Sequence, residues 1–255
     1  MALFTDGIST IQDLTVQDSS VLATAQTENI DLSQKLTLAQ QELGIEITAL
    51  LQQRSNTCDW QFWLQPDLQL NNIVVTPPLQ FWHVFQTLML TYQDAYFNQL
   101  NDRYQGKRDQ FQQLAKWALN KLIQTGIGIA LNPIPQAAPP QLTSIPGGQP
   151  AMTYCASVSW LNVENEEGQP SNPSVLTVAA GNALVVQPVN QPANATAWNV
   201  YVGLTPTALA LQNTSPQALD QVWVQAAPVS TLGQTPGCGQ APDYLRALPR
   251  VIQRG

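Results

Sequence analysis

Charge is what this chain of 255 residues has least of. Asp, Glu, Lys and Arg make up 11% of it, against about 25% in an average soluble protein. Only 10 Lys and Arg stand against 17 Asp and Glu, a net charge of -7. The basic patch that phosphate or nucleic-acid chemistry needs is therefore missing, and nonspecific polyanion binding is not expected. From Leu131 to Leu245 there is no Lys or Arg at all. Long apolar runs are missing too: no window approaches about 18 uninterrupted apolar residues, which excludes a transmembrane helix. The opening Met1–Thr10 (MALFTDGIST) lacks the basic stretch and apolar core of a secretory signal and reads as an ordinary mature start. Three cysteines, Cys58, Cys155 and Cys238, are an odd number, lie far apart and form no C-x-x-C pair. That excludes a disulfide framework and a zinc site, and leaves reduced, structural thiols.

Catalytic constellations are equally scarce. His83 is the only histidine, beside Trp82 in a helical stretch with neither a second histidine nor a carboxylate four residues on, so a structural role is expected. Glu164, Glu166 and Glu167 cluster at a turn and read as solvated carboxylates rather than an acid–base pair. Thr125–Asn132 (TGIGIALN) holds two glycines but follows a helix, whereas a phosphate-binding glycine loop follows a strand and opens a helix. No G-x-S-x-G is present. No catalytic residue, metal or cofactor is assigned, and the chain is not expected to be an enzyme.

What the chain does have is neutral polar and turn-forming residues, with 33 Gln and 19 Pro. Six of the prolines fall in Asn132–Pro150 (NPIPQAAPPQLTSIPGGQP), which has no charge, cannot continue a helix and favours extended geometry. This marks a boundary between residues 1–131 and 151–232, with 132–150 as linker and 233–255 as tail. Before it, apolar residues recur at helical spacing. Asp31–Gln53 places Leu32, Leu36, Ala39, Leu43, Ile47, Leu50 and Leu51 three and four apart, with Asp31 or Ser33 as cap. A shorter helix is predicted between Val16 and Glu28, capped by Asp18 or Ser19. A third starts at Thr76-Pro77-Pro78 and runs to about Tyr104, with a stripe from Phe81 through Phe85, Leu88 and Tyr92 broad enough to need cover on more than one side. A fourth spans Lys107 to about Gln124 and ends at Gly126. After the boundary, Met152–Val163 alternates Tyr154, Ala156, Val158 and Trp160 against Cys155, Ser157 and Ser159, so one face is core. Short apolar runs then recur at Val175–Val178, Ala183–Val186, Ala197–Val202 and Val222–Val224. The fold class is thus α+β and multidomain: an N-terminal helical bundle followed by a small all-β sandwich.

Two surface candidates stand out. Trp60, Phe62 and Trp63 lie in a short non-periodic stretch ending at Pro66, either plugging a helical core or offering a partner-binding surface. Arg246, Arg250 and Arg254 recur every four residues in a segment with Tyr244, Leu245, Leu248, Val251 and Ile252. They belong either to a frayed terminus or to a docking peptide that orders on a partner.

The second half resembles a fibronectin type III-like module of the kind appended to tailed-bacteriophage structural proteins. The residues that carry this are Tyr154–Ser171 (YCASVSWLNVENEEGQPS), Ala197–Gly203 (AWNVYVG) and Val222–Val224 (VWV). Because Tyr154–Ser171 is similar to the last hairpin of the usual module yet comes first, either the strand order is permuted or the domain is another immunoglobulin-like sandwich. The first half is similar, in size, helix order and the Asp31–Gln53 pattern, to helical adaptor proteins below the portal at the phage head-tail junction. The resemblance implies a virion structural protein, a neck or head-tail connector subunit assembled in the bacterial host cytoplasm. Its partners would be about twelve copies of itself in a ring, portal and tail proteins, and DNA that passes the channel without specific binding; no membrane is involved. The alternatives are a baseplate or tail structural protein, and a glycan-binding module using aromatics such as Trp198 or Trp223.

Overall fold

The structure, a computed structural model, describes residues 2–55, 68–99 and 102–245. Within them five α-helices in the N-terminal half precede antiparallel β-sheets, a mixed α+β architecture. The chain forms two compact units, residues 7–131 with 242–255, and residues 1–6 with 132–241.

The first unit is helical. Helix α1 (Ile11–Gln17) starts in a reciprocal cap: the Thr10 amide donates to Asp13 Oδ2 at 2.7 Å and the Asp13 amide to Thr10 Oγ1 at 3.4 Å. The short helix predicted between Val16 and Glu28 is α2 (Val21–Glu28), with Ser20 at its N-cap position and Asp18 Oδ1 accepting the Ser20 amide just before it. Asn29 ends α2 in a left-handed conformation, φ 54°. Helix α3 (Leu32–Ser55) is capped by Asp31, which accepts the amides of Ser33 and Gln34. Helix α4 (Pro77–Gln99) begins at the paired prolines. A 3-10 turn at Asp102–Tyr104 leads into α5 (Gln105–Thr125), which closes at Gly126 with φ 100°. Leu79, Trp82, Phe85, Leu88, Tyr92 and Ala95 of α4 are all buried, as the breadth of its apolar stripe requires. Ala39, Leu43 and Ile47 of α3 cover it on one side, Phe111, Ala115, Ala118 and Leu122 of α5 on another. Phe111 stacks on Phe85 at 6.4 Å and on Tyr92 at 5.8 Å, and each such large side chain contributes roughly 1.5–3 kcal/mol by leaving water. Past α5, strand β1 (Ile127–Ile129) runs beside Ile73.

In the second unit two antiparallel sheets enclose one core. One sheet holds β2 (Gln141–Pro146), β5 (Asn182–Gln187) and β9 (Trp223–Val224), in the order β2-β5-β9. The other holds β3 (Met152–Leu161), β4 (Ser174–Val178), β6 (Ala197–Gly203) and β7 (Ala210–Leu211), in the order β4-β3-β6-β7, with β8 (Gln217–Ala218) also paired to β6. Tyr154, Ala156, Val158 and Trp160 of β3 meet Trp198, Val200 and Val202 of β6 and Leu184 and Val186 of β5 in that core. Trp160 and Trp198 sit opposite each other in the β3–β6 register. The proline-rich segment 132–150 belongs to this unit: Ile134 and Ala137 are in the core, and Gln141–Pro146 pairs along β5 from Gln141↔Gln187 to Pro146↔Asn182. Its prolines are tolerated because β2 is an edge strand and Pro146 its last residue, where no ladder amide is needed.

The face of β3 expected to be core is core, and its second face is buried as well: Cys155, Ser157 and Ser159 are as buried as the apolar face. Serine tolerates this when its hydroxyl is satisfied, and Ser157 Oγ donates to the Ser171 carbonyl at 2.8 Å. The chain then returns to the helical unit, where β10 (Asp243–Leu245) pairs antiparallel with β1 as Ile127↔Leu245, Gly128↔Tyr244 and Ile129↔Asp243. A Cβ on Gly128 would stand 2.7 Å from Thr76 Cγ2 and 3.0 Å from Pro242 Cβ, so glycine is what lets the strand approach this closely. Among the described residues no helix is long and apolar enough to cross a membrane.

Candidate functional site

Trp60, Phe62, Trp63, Arg246, Arg250 and Arg254 lie outside the described residues. Strand β10 ends immediately before Arg246, so the arginine-bearing segment starts from a strand docked on the helical unit.

A polar site of the helical unit gathers residues from three segments. Asp18 and Ser20 lie between α1 and α2, Tyr92 on α4 and Lys107 on α5. Lys107 Nζ donates to Asp18 Oδ2 at 2.6 Å, to Ser20 Oγ at 2.5 Å and to Tyr92 OH at 3.1 Å, and Tyr92 OH donates to the same carboxylate oxygen at 2.5 Å. The ammonium also lies 4.9 Å from the Tyr92 ring centre. Burial by itself would raise the Asp18 carboxyl, but hydrogen bonds from Lys107, Tyr92 and Ser20 outweigh it and hold the group at about 2. Burial likewise works against the Lys107 charge, and Asp18 and Tyr92 overcome it to leave the ammonium above its ordinary value. An open cleft of about 230 Å³ lies alongside, lined by Ser20, Thr24, Tyr92, Arg103, Tyr104 and Lys107. Tyr104 OH donates to the buried Glu28 carboxylate at 2.8 Å, a bond that, with burial, raises the phenol. Asp18 is fully ionised and Lys107 fully protonated near neutrality, so neither is poised to exchange a proton. The arrangement clamps three helical elements together.

His83 is fully buried, and its imidazole is held from both sides. Nε2 lies 3.0 Å from the Leu36 carbonyl and Nδ1 2.6 Å from Ser9 Oγ. A carbonyl can only accept, so Nε2 carries the proton and neutral Nδ1 accepts from Ser9. Burial lowers its pKa, against the Leu36 bond and the charge of Asp13. A serine–histidine pair is the start of a nucleophilic site, yet here the far nitrogen is fixed by a carbonyl instead of a carboxylate, and the ring has no open side. Its geometry is that of a tie between the Ser9 segment, α3 and α4.

In the second unit, Glu164 and Glu166 are exposed at the turn, as expected of solvated carboxylates, while Glu167 is half-buried, and all three accept hydrogen bonds. The Glu167 carboxylate receives the Ser159 and Tyr201 hydroxyls, both donors fully buried. Burial first, then Glu167, raises the Tyr201 phenol far above its ordinary value. Glu166 accepts from Asn162 Nδ2 at 2.9 Å and Gln240 Nε2 at 2.7 Å, and Glu164 from Asn132 Nδ2 at 2.8 Å. Gln240 also takes the Ile134 amide at 2.7 Å and donates to the Asn132 carbonyl at 3.0 Å. The reason is local: with no cation in this stretch, the hairpin after β3 folds its carboxylates back onto hydroxyl and amide donors. These partners lie up to 74 residues away, and nothing in the local sequence marks them.

Trp198 is fully buried and donates its indole N–H to the Ala218 carbonyl at 3.0 Å, while Trp223 packs against the same core. Trp198 is therefore not available to stack on a sugar. Among the described residues, no group of three His, Cys, Asp or Glu could hold a metal ion.

No protein-family model matches the chain, and neither does any curated protein or solved structure.

Proposed function

We propose that the protein is a virion structural protein of a tailed bacteriophage, a neck or head-tail connector subunit that assembles into a ring between portal and tail. In this reading the second unit is a fibronectin type III-like module, and the helical unit is the ring-forming, adaptor-like part. Portal and tail proteins are the neighbours, and DNA passes the channel without specific binding. Assembly takes place in the bacterial host cytoplasm and the protein ends in the particle. The observation that carries the reading is the pairing in one chain of a helical bundle and a two-sheet β unit, with large apolar side chains left on the bundle's surface. Ile45 is 70% exposed, Phe97 57% and Trp117 50%. A subunit whose surface meets neighbours keeps such residues and drops charge. The engagement of Asp18, Lys107, His83 and Glu167 in internal bonds agrees with a role through assembly.

Quantitative peptide mass spectrometry on nuclease-treated, density-purified particles tests this. Roughly a dozen copies per particle is the expected result, as for a closed ring of one repeated interface. A copy number matching a baseplate or tail component would move the protein along the particle. Absence from particles would overturn the virion reading, and a glycan array probed with the full chain would then test recognition through the β unit.

A further inference from the structure

We infer that residues 230–245 form a C-terminal arm that peels from the fold as one piece, without unfolding the β-sheets, and so carries the tail that follows Leu245 outward to its partner. Its use rests on the docking reading of Arg246, Arg250 and Arg254. What carries it is burial: from Ser230 to Leu245 only Gln240 is buried. Leu232 is 96% exposed and Tyr244 53%. Just upstream the chain is anchored differently. Gln225 is buried, its amide donating to the Leu184 carbonyl at 2.9 Å, and Val229 packs against the sandwich core. An element held by apolar burial opens only when the core opens, whereas one held by exposed hydrogen bonds exchanges them for bonds to water and opens locally.

Polar groups fasten the arm. At β7, the Ser230 amide donates to Gln212 Oε1 at 3.0 Å, Gln212 Nε2 to the Ser230 carbonyl at 2.9 Å, and the Leu211 amide to the Gln234 carbonyl at 2.8 Å. The chain then passes Glu167: a Cβ on Gly237 would stand 3.8 Å from its Oε2. Gln240 comes next, tied to the Ile134 amide, the Asn132 carbonyl and Glu166, and β10 follows with its pairing to β1. Between Gly233 and Gln240 the arm therefore crosses the outer face of the β4-β3-β6-β7 sheet, from its β7 edge to the carboxylate that holds Ser159 of β3 and Tyr201 of β6. Released over its whole length, the arm extends to at most about 50 Å, a reach that a tail starting from docked β10 lacks.

Two glycines of the arm supply the test. Gly233 lies so close to β7 that a Cβ there would stand 2.5 Å from the Leu211 carbonyl oxygen and 3.0 Å from its amide nitrogen, whereas a Cβ on Gly237 meets nothing nearer than 3.8 Å. Gly233→Ala therefore lifts the arm without touching the core, and Gly237→Ala is its matched control. Residue-resolved hydrogen exchange on the full chain is expected to show the wild-type Leu211, Ser230 and Ile134 amides exchanging at least about a hundredfold faster than the β3–β6 ladder. Gly233→Ala should raise exchange at all three, and at Tyr244 and Leu245, by a common factor of about ten or more. The ladder should stay unchanged, and Gly237→Ala should match wild type. Wild-type protection of the arm equal to that of the ladder, or a Gly233→Ala effect confined to Leu211 and Ser230, would overturn the one-piece arm. Normal incorporation into particles of a chain ending at Leu245 would instead overturn the docking reading, and with it the arm's use.

Discussion

The two units hold a half-buried carboxylate in opposite ways. In the helical unit Asp18 meets an ammonium, with a phenol and a serine hydroxyl in support. In the β unit, which has no Lys or Arg from Leu131 to Leu245, Glu167 meets only neutral donors, Ser159 and Tyr201. The consequences fall on different partners. A cation lowers the acid, and Asp18 sits at about 2. Burial first, and then the bond to Glu167, makes the Tyr201 hydroxyl harder to ionise, and its phenol moves up. The same problem thus leaves the helical unit sensitive to acid through Asp18, and the β unit dependent on keeping Glu167 in place.

The sharpest way to break the comparison is Glu167→Ala, which strands two fully buried hydroxyls. At about 1–3 kcal/mol for each unsatisfied group, a loss of roughly 3 kcal/mol is expected in urea unfolding, and a loss under about 0.5 kcal/mol would show that the hydroxyls find other partners. Lys107→Met converts the helical solution into the neutral one. Breaking a buried pair costs about 3–5 kcal/mol, but the Lys107 side chain is 39% exposed, so screening brings the expectation to about 2 kcal/mol. Acid titration comes next. The folded Asp18 carboxyl, at about 2, lies below its ordinary 3.8, so its pairing stabilises the fold fully above pH 4 and is lost as pH falls towards 2. Asp18→Asn should flatten that limb of stability against pH, and an unchanged limb would move the acid sensitivity to other carboxylates.

Smaller effects concern the strand that carries the tail. Gly128→Ala pushes a methyl group against Thr76 and Pro242 and should cost about 1 kcal/mol. Hydrogen exchange at Tyr244 and Leu245 should rise while α4 keeps its protection, and uniform exchange across the unit would argue against a locally docked strand. Deletion of residues 246–255 spares β10 and should leave the melting temperature within about 2 °C of wild type while abolishing incorporation into particles. Normal incorporation would remove the docking role of Arg246, Arg250 and Arg254.

Some of this fold is legible in one dimension. The steps of three and four in α3, α4 and α5 predict those helices, because a helix that buries one face must repeat at its own period. Tyr154 to Trp160 reads as a strand for the same reason at period two. Strand β2 does not, since its proline-rich setting points to a spacer, and only pairing along β5 and burial of Ile134 and Ala137 make it part of the sheet. Helix α1 has one faint signal, Thr10 and Asp13 at capping distance. The polar sites are the least legible: Lys107 reaches Asp18 across 89 residues, and Tyr201 reaches Glu167 across 34.

By itself, the sequence determines the α+β order, the helical and strand periods, and the absence of Lys and Arg from Leu131 to Leu245, because period and composition are properties of short windows. Only the tertiary structure decides that the second face of β3 is buried, that the three turn glutamates are acceptors, and that residues 243–245 return to the helical unit. A buried polar group is tolerated only when a donor or acceptor reaches it, and which group reaches it is set by the packing of distant segments.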